Sequence, residues 1–353
     1  MSAPPRLDFT SDNITGAAPE ILAALAAANH GTVASYGADP LSAALTHRAG
    51  ELFERPVTIL PVATGTAANA LALSLLARPF EAIYCHTTAH VMTDECGAPE
   101  FYTGGAKLLA LPSADGRLVP AQLADAVAFA ASMGVHHVRP AAVTVSQATE
   151  WGTVYGLAEL RLLATEAHAR GLRVHMDGAR FANALVHLGC SAADATWRAG
   201  VDVLSFGATK NGALAAEAVV VFDSALADEL ALRRKRSGHL WSKARFLSAQ
   251  LLAYLDGDLW LRNARHANAM AQRLARALAA LPGIRLAQPA EANELFVVMP
   301  AEVAAALRAA GFQFYDWPPP PGVDGPVVRL VTSYDLGADA VDALVAAARR
   351  VTG

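Results

Sequence analysis

The scarcity of lysine limits where this chain can carry out chemistry that needs a primary amine. Its 353 residues include only four lysines, Lys107, Lys210, Lys235 and Lys243. Lys210 follows the apolar run Val203–Phe206 and lies between Gly207 and Gly212, which permit close backbone approach. Burial disfavours the charged form of an amine and leaves a nucleophile toward carbonyl carbons. The alternative is an exposed lysine in a turn.

An acidic residue follows a second apolar run. In Val174-His175-Met176-Asp177-Gly178-Ala179-Arg180, Asp177 comes at the carboxyl end of a predicted strand. Open α/β sheets place their ligands at this edge. A buried carboxylate there needs a partner. The alternative to a ligand contact is a helix N-cap, with Arg180 as the ion-pair partner of Asp177.

The third segment is the turn Thr64-Gly65-Thr66, which lies between a predicted strand and a predicted helix. The first turn of a helix has free backbone N–H groups and the positive end of the helix dipole, which together attract phosphate. An ordinary N-capped helix is the alternative interpretation. A phosphate site, a strand-end Asp177 and a strand-end Lys210 in this order suit pyridoxal 5′-phosphate (PLP). Asp177 would keep its ring nitrogen protonated, and Lys210 would hold its aldehyde as a Schiff base.

Alternating elements must position these residues. Seven apolar runs are predicted as strands, most of them separated by helix-length segments: Val57–Val62, Ala82–Cys85, Lys107–Leu111, Ala142–Ser146, Arg173–Met176, Val203–Phe206 and Ala218–Phe222. This alternation predicts an α/β fold with a mostly parallel central sheet and helices on both faces. Because residues 207–216 leave no room for a crossover helix, the last strand is expected to run antiparallel.

The pattern changes after about residue 256. A long helix is predicted over Leu259–Leu281, strands over Asn293–Met299 and Pro326–Thr332, and a final helix over Gly337–Arg350. We therefore predict an N-terminal segment over 1–40, a large PLP-binding α/β domain over 41–256 and a small C-terminal α+β domain over 257–353. A stiff proline loop, Pro318–Pro321, falls within the small domain.

Five ordered motifs give the chain a specific resemblance. They are Phe9-Thr10-Ser11-Asp12-Asn13, Tyr36-Gly37-Ala38-Asp39-Pro40, Thr64-Gly65-Thr66-Ala67-Ala68-Asn69, Asp177-Gly178-Ala179-Arg180 and Val328-Arg329-Leu330-Val331-Thr332. With them, the chain resembles the fold-type I PLP enzymes over nearly its whole length, and most closely the low-specificity L-threonine aldolases of the beta-eliminating lyase/threonine aldolase group.

The resemblance assigns roles to particular residues. It implies that Lys210 carries PLP, that Asp177 pairs with the ring nitrogen and that Gly65 and Thr66 hold the phosphate. His90 would stack on the ring. The substrate carboxylate would be bound, or the cofactor oriented, by Arg329 with Ser11 and Arg180, and Tyr36 would come from a partner subunit. The bidentate guanidinium of arginine suits a carboxylate.

The implied activity is retro-aldol cleavage of L-threonine, L-allo-threonine and related β-hydroxy-α-amino acids, such as phenylserine, to glycine and an aldehyde. His90 is the hypothetical base for the β-hydroxyl proton, directly or through a water. Many relatives carry a His-Asn pair where this chain has Glu150-Trp151, which leaves the side-chain pocket and the identity of the base open. The alternatives are another PLP reaction, β-elimination or transamination, and a PLP-binding homologue without activity.

Composition excludes some classes of partner. The net charge of −4 argues against a nucleic-acid partner. No run of about 18 apolar residues predicts a membrane span, and the amino-terminal residues lack the apolar core of a signal peptide. Three scattered cysteines do not form a disulfide framework, so a cytoplasmic location is expected. We expect a homodimer or homotetramer with active sites at the subunit interface.

Two further clusters of polar residues have more than one interpretation. Cys85, His86 and His90 could be read as a metal site if the histidines shared a helix face, but a fourth ligand is lacking, and we expect no metal. The basic run Arg233-Arg234-Lys235-Arg236 is typical of a solvated helix face. In this fold it could instead reach a neighbouring phosphate through Lys235, and Lys243 could do the same.

Overall fold

A central seven-stranded sheet dominates the computed structural model, which describes residues 7–353. The first six residues of the predicted N-terminal segment lie outside this range. The strands are β1 (Thr58–Val62), β2 (Glu81–His86), β3 (Lys107–Leu111), β4 (Arg139–Ser146), β5 (Arg173–Gly178), β6 (Val203–Phe206) and β7 (Glu217–Val221). Their order is β1-β7-β6-β5-β4-β2-β3. Only β7 pairs antiparallel with its neighbours in this sheet, so the expected mostly parallel sheet and reversed last strand are confirmed.

Helices cover both faces of this sheet, as predicted. They are α1 (Pro19–Ala28), α2 (Pro40–Leu52), α3 (Gly65–Leu76), α4 (His90–Thr93), α5 (Ala98–Thr103), α6 (Pro120–Ser132), α7 (Leu157–Ala169), α8 (Phe181–Leu188), α9 (Ala227–Arg236) and α10 (Arg245–Leu255). One apolar core lies under α3 and α9, and a larger one lies under α6, α7, α8 and α10. Strands buried on both faces are apolar throughout, which explains why continuous apolar runs predict them.

A smaller antiparallel sheet follows. The helices are α11 (Leu259–Ala279), α12 (Ala301–Ala309) and α13 (Ala338–Thr352), and the strands are β8 (Arg285–Leu286), β9 (Glu294–Val298), β10 (Tyr315–Trp317) and β11 (Val327–Val331). The strand order is β10-β11-β9-β8. The proline loop connects β10 to β11. This sheet has its own apolar core with α11, α12 and α13.

The amino-terminal segment belongs to the small sheet in space. The Phe9 N–H donates to the Gln313 carbonyl at 2.8 Å, and the Val331 N–H donates to the Phe9 carbonyl at 2.9 Å. The Phe9 ring is fully buried in the small core. This pairing brings the following residues, Thr10 to Asn13, toward the large sheet.

The topology brings the chemical residues to one edge. Strands β2, β4, β5 and β6 are parallel, so their carboxyl ends lie together. Strand β1 has the same direction, because β7 runs antiparallel to both β1 and β6. Asp177 lies at the end of β5, and the segments that follow the other strands carry Thr64, His90, Glu150 and Lys210. Within the described residues, no helix is both long enough and apolar enough to cross a bilayer.

Candidate active site

A cavity of about 300 Å³ opens at the carboxyl edge of the large sheet. Six of the residues predicted from sequence line it: Gly65, Thr66, His90, Asp177, Arg180 and Lys210. They come from the carboxyl ends of four strands, β1, β2, β5 and β6, so the parallel topology brings them together.

Lys210 lies in a short helical turn, Thr209–Asn211, directly after β6. It is half-buried at the cavity wall, whereas Lys107, Lys235 and Lys243 are exposed. The buried carboxylate of Glu217 holds the turn, because it accepts the Ala208 N–H at 2.8 Å and the Thr209 N–H at 3.3 Å. Burial raises the pKa of Glu217 to about 7, against the lowering effect of these hydrogen bonds and of the Lys210 charge.

A chain of hydrogen bonds connects Asp177 to His90. The Asn69 amide donates to Asp177 Oδ2 at 2.8 Å and to Glu95 Oε1 at 2.8 Å. The same Glu95 oxygen is 2.9 Å from His90 Nδ1. Glu95 is buried, and this bond raises the pKa of His90 despite the opposing effect of burial. The imidazole is therefore held by a buried carboxylate that is itself connected to Asp177.

Arg180 does not pair with Asp177, so the alternative of an Asp177–Arg180 ion pair is wrong. Its guanidinium contacts Asp12 at 2.8 Å and Glu294 at 2.9 Å. The Asp177 oxygens instead accept the Asn69 amide and, at 3.0 Å, the Ala179 N–H. Burial alone would lower the pKa of Arg180, but the carboxylates of Asp12 and Glu294 outweigh it and raise this pKa.

The amino terminus of α3 forms the opposite wall. The Thr64 hydroxyl accepts the Ala67 N–H at 3.2 Å, which leaves the N–H groups of Gly65 and Thr66 at the open first turn. A Cβ placed on Gly65 would meet no atom within 4 Å, so the space before this turn is open. Such a turn binds anions.

These residues fit PLP. An anion-binding helix terminus, a strand-end carboxylate and a half-buried amine all border one cavity. They are the groups needed for the phosphate, the pyridine nitrogen and the aldehyde, respectively. In addition, the buried Asn69 Oδ1 has no hydrogen-bond partner at this cavity within the described protein. The donor set therefore suits a polar aromatic phosphate.

Comparison with known proteins agrees with this geometry. A family model described as Beta-eliminating lyase matches residues 8–302. The chain belongs to the beta-eliminating lyase family. Two relatives named low specificity L-threonine aldolase are each 43% identical to it, one from a Pseudomonas species over 97% of both chains and one from Pseudomonas aeruginosa over 98% of both.

Solved structures of similar proteins support the same placement. The Leishmania major threonine aldolase superposes with a TM-score of 0.91 at 32% identity, covering 99% of this chain and 100% of that one. A putative L-allo-threonine aldolase from Listeria monocytogenes superposes with a TM-score of 0.75 at 15% identity, covering 98% and 96%. The second likeness shows the fold alone.

Three predicted site residues do not line the cavity of the described chain. The Ser11 hydroxyl accepts the Asn13 N–H at 3.1 Å, and Asn13 reaches the cavity instead. Arg329 lies behind Glu294, with its Nη1 4.0 Å from Oε1 of that residue, and it stacks on Trp317 at 4.3 Å. Tyr36 is 51% exposed, with the Lys235 amine 4.7 Å from its ring centre.

The pair Glu150-Trp151 divides between two environments. Glu150 lines the cavity. Trp151 points away and is buried against Phe296, with ring centres 4.9 Å apart, in a cluster with Val298 and Val327. Glu150 therefore borders the cavity, and Trp151 joins the large sheet to the small one.

The possible metal cluster is not assembled on a helix face. His86 ends β2 and His90 begins α4, so the two rings do not share one helix. The Nδ1 of His86 contacts the Thr88 hydroxyl at 2.8 Å, while that of His90 contacts Glu95. Over residues 7–353 no group of three histidine, cysteine or acidic side chains has a metal-binding arrangement.

Several cavity residues were not predicted from the sequence: Asn69 as the bridge between two carboxyls, Glu95 and Glu217. Asn69 lies one helical turn after Gly65, so the two residues share a face of α3, and this spacing could have placed Asn69 at the cavity. Glu95 and Glu217 carry no comparable pattern, because their partners come from other segments of the fold.

Proposed function

We propose that the chain is a PLP-dependent low-specificity L-threonine aldolase. It cleaves L-threonine, L-allo-threonine and related β-hydroxy-α-amino acids, including phenylserine, to glycine and an aldehyde. The observation that carries the proposal is that Lys210, Asp177 and the α3 amino terminus border one cavity. The relatives named low specificity L-threonine aldolase support the choice of reaction.

The residues around the cavity have different proposed roles in binding the cofactor. Bound PLP supplies the electron sink for the pair released when the Cα–Cβ bond breaks. Lys210 would hold the cofactor covalently, Gly65 and Thr66 would hold its phosphate, and Asp177 would keep its ring nitrogen protonated. Asn69 fixes the Asp177 carboxylate through its 2.8 Å hydrogen bond.

Arg329 is the proposed anchor of the substrate carboxylate, with Ser11 and Arg180 nearby. Its Nε is buried without a hydrogen-bond partner in the described chain. Arg180 is already engaged by Asp12 and Glu294. We therefore assign the carboxylate to Arg329 and give Arg180 the task of holding the amino-terminal segment against the site. A guanidinium fork also orients the substrate, which limits the bond that can break.

The proposal includes a homodimer or homotetramer in the cytoplasm, with Tyr36 of one subunit reaching the site of the next. The exposure of Tyr36, and its absence from the cavity of its own described chain, support this arrangement. A hydrogen bond from the Tyr36 N–H to the Ser242 carbonyl at 2.9 Å anchors the backbone that carries this ring.

Product analysis tests the proposed reaction. The purified holoenzyme should convert L-threonine to equal amounts of acetaldehyde and glycine, and K210A should not. Formation of 2-oxobutanoate and ammonia would indicate β-elimination, and an oxo acid formed by amino transfer would indicate transamination. Cofactor absorbance without turnover of any β-hydroxy-α-amino acid would indicate a binding protein.

A further inference from the structure

Glu150 is a cavity residue to which the proposed roles assign no task. It lies in the loop after β4 and borders the cavity together with His90, Asp177 and Lys210. Its Oε1 accepts the backbone N–H of His90 at 3.3 Å, which fixes the carboxylate beside the imidazole. Arg180, a neighbouring cation, is bound to Asp12 and Glu294.

The protein already engages one ring nitrogen of His90. Its Nδ1 is 2.9 Å from the buried Glu95 carboxylate, and that bond raises the pKa of His90. The contact fixes the ring and leaves Nε2 as the nitrogen that can meet a substrate oxygen. When protonated, Nε2 donates a hydrogen bond, so the ring can orient the β-hydroxyl oxygen.

The surroundings of Glu150 also raise the pKa of its carboxyl. Its side chain faces the open cavity, yet protein atoms surround it deeply enough that burial raises its pKa, and the charges of Asp177 and Glu294 raise it further. Lys210 and His90 lower it in part, and Arg180 also faces it. A carboxylate with a raised pKa is a better proton acceptor near neutral pH than an ordinary one.

We infer that Glu150 receives the proton of the substrate β-hydroxyl while His90 orients the hydroxyl oxygen. This inference rests on the proposed aldol cleavage. The O–H bond breaks and its proton moves to the Glu150 carboxylate. The oxygen electron pair forms the second C–O bond of the aldehyde, while the Cα–Cβ pair stays on the glycine fragment. The fragment is later protonated at Cα, and Glu150 returns its proton to solvent.

Two reactions of the same holoenzyme separate this role from a structural one. Cleavage of L-threonine needs a base for the β-hydroxyl, whereas exchange of the glycine α-proton with deuterated water does not. In E150Q the ratio of cleavage rate to exchange rate should fall about 100-fold. In H90N the same ratio should fall less than about tenfold. In E150D, which keeps a carboxyl, the ratio should be about tenfold higher than in E150Q.

Binding measurements complete the test. The affinity of E150Q for glycine, measured from the change in cofactor absorbance, should be within about threefold of the parental affinity. Glycine has no β-hydroxyl, so its binding does not need the proposed proton acceptor. In the cofactor-free protein, E150Q should be more stable relative to the parent at pH 8 than at pH 5, since it lacks a carboxyl that is costly to ionise.

An unchanged ratio of cleavage rate to exchange rate in E150Q overturns the inference. This includes the case in which cleavage, exchange and glycine binding are all lost together. A parent enzyme that exchanges the glycine α-proton but cleaves no β-hydroxy-α-amino acid would overturn the proposed function itself, and the proton assignment with it.

Discussion

Four carboxyl groups border one cavity, and their partners give them different tasks. Asp177 is bound by Asn69, Glu95 by His90 and Asn69, and Glu217 by two backbone N–H groups. Within the described residues, Glu150 accepts a 3.3 Å bond from the His90 backbone. The four carboxyls are therefore held in different ways, and these local contacts are the basis of the different role proposed for each.

At this scale, the Glu95–His90 contact gives a direct prediction. In E95Q the pKa of His90 should fall toward the ordinary histidine value, because a neutral amide replaces the carboxylate that stabilises the imidazolium. Histidine ring NMR of the cofactor-free protein follows this change, with H90N used to assign the resonance. His175 is the control, since burial lowers its pKa to about 4 between Thr144 and Ser205. An unchanged His90 titration would refute the role of Glu95.

Glu217 gives a prediction for stability. Below its ordinary value of 4.5 the carboxyl is protonated in both states, and between 4.5 and about 7 only the unfolded chain ionises it. The parent should therefore lose unfolding free energy as the pH rises through this range. The loss is on the order of 3 kcal/mol at about 1.36 kcal/mol per pH unit.

Urea unfolding of the cofactor-free protein at pH 5 and pH 8.5 measures the Glu217 effect. In E217Q the free energy of unfolding should fall much less between the two pH values. E302Q, which changes an exposed carboxyl on α12, should keep the parental pH dependence. Parallel curves for the parent and E217Q would contradict the raised pKa.

At the scale of elements, the site depends on how closely β5 and the loop after β6 approach each other. A Cβ on Gly207 would lie 2.6 Å from the Ala179 carbonyl oxygen and 2.7 Å from its Cα. Gly207 precedes the Lys210 turn, and Ala179 follows Asp177. Glycine at this position therefore sets the spacing between the segments that carry the two main cofactor groups.

G207A should separate these two segments. Since a backbone atom cannot move aside as a side chain can, we expect a loss of about 1–3 kcal/mol of stability, together with weaker binding of PLP. G16A is a matched control, because a Cβ there meets nothing within 4 Å. Thermal unfolding and PLP titration of both variants measure the effect. Equal stability and affinity for G207A and the parent would disprove the spacing argument.

The sequence allowed the prediction of elements that are apolar and long. The seven strands of the large sheet and the long helix α11 were predicted with ends within three residues of those observed. The short edge strands β8 and β10 were missed, because two or three partly exposed residues give no periodic pattern. Helices α1 and α12 were missed because alanine makes up at least half of each and blurs the contrast between faces.

The same division holds for the site. Lys210, Asp177 and Gly65 could be predicted because each follows a strand, and parallel strands share an edge. The partners of Arg180 could not, since Asp12 and Glu294 lie 168 and 114 residues away in the chain. Contacts of that kind are set by tertiary packing and leave no local pattern.

At the scale of the whole molecule, the amino-terminal segment and the small sheet join the large sheet around the cavity. Asp12 and Glu294 both bind Arg180, and Trp151 packs on Phe296. Helix α11 contacts both sides, because Asn268 bonds Asn183 of α8 at 2.9 Å and the Ala267 carbonyl accepts the Thr332 hydroxyl at 2.8 Å. The division at residues 40 and 256 stays a prediction.

If Tyr36 acts at the site of the partner subunit, two different inactive variants can form one complete site when they are combined in a dimer. A hybrid of Y36A and K210A chains would contain one site with both Lys210 and Tyr36 and one site with neither. We expect about half the parental activity per hybrid dimer, because the subunits of a symmetric dimer exchange equivalent residues. Differently tagged chains, coexpressed and purified in two steps, measure this. A hybrid as inactive as K210A would place Tyr36 in its own subunit's function.

Borohydride reduction of the holoenzyme tests directly whether this cavity binds PLP through Lys210. Reduction makes the linkage permanent, so peptide mass mapping can locate it. We expect the pyridoxyl group on Lys210, the one half-buried lysine at the cavity wall of the described chain. A pyridoxyl group on Lys107, Lys235 or Lys243 would contradict it.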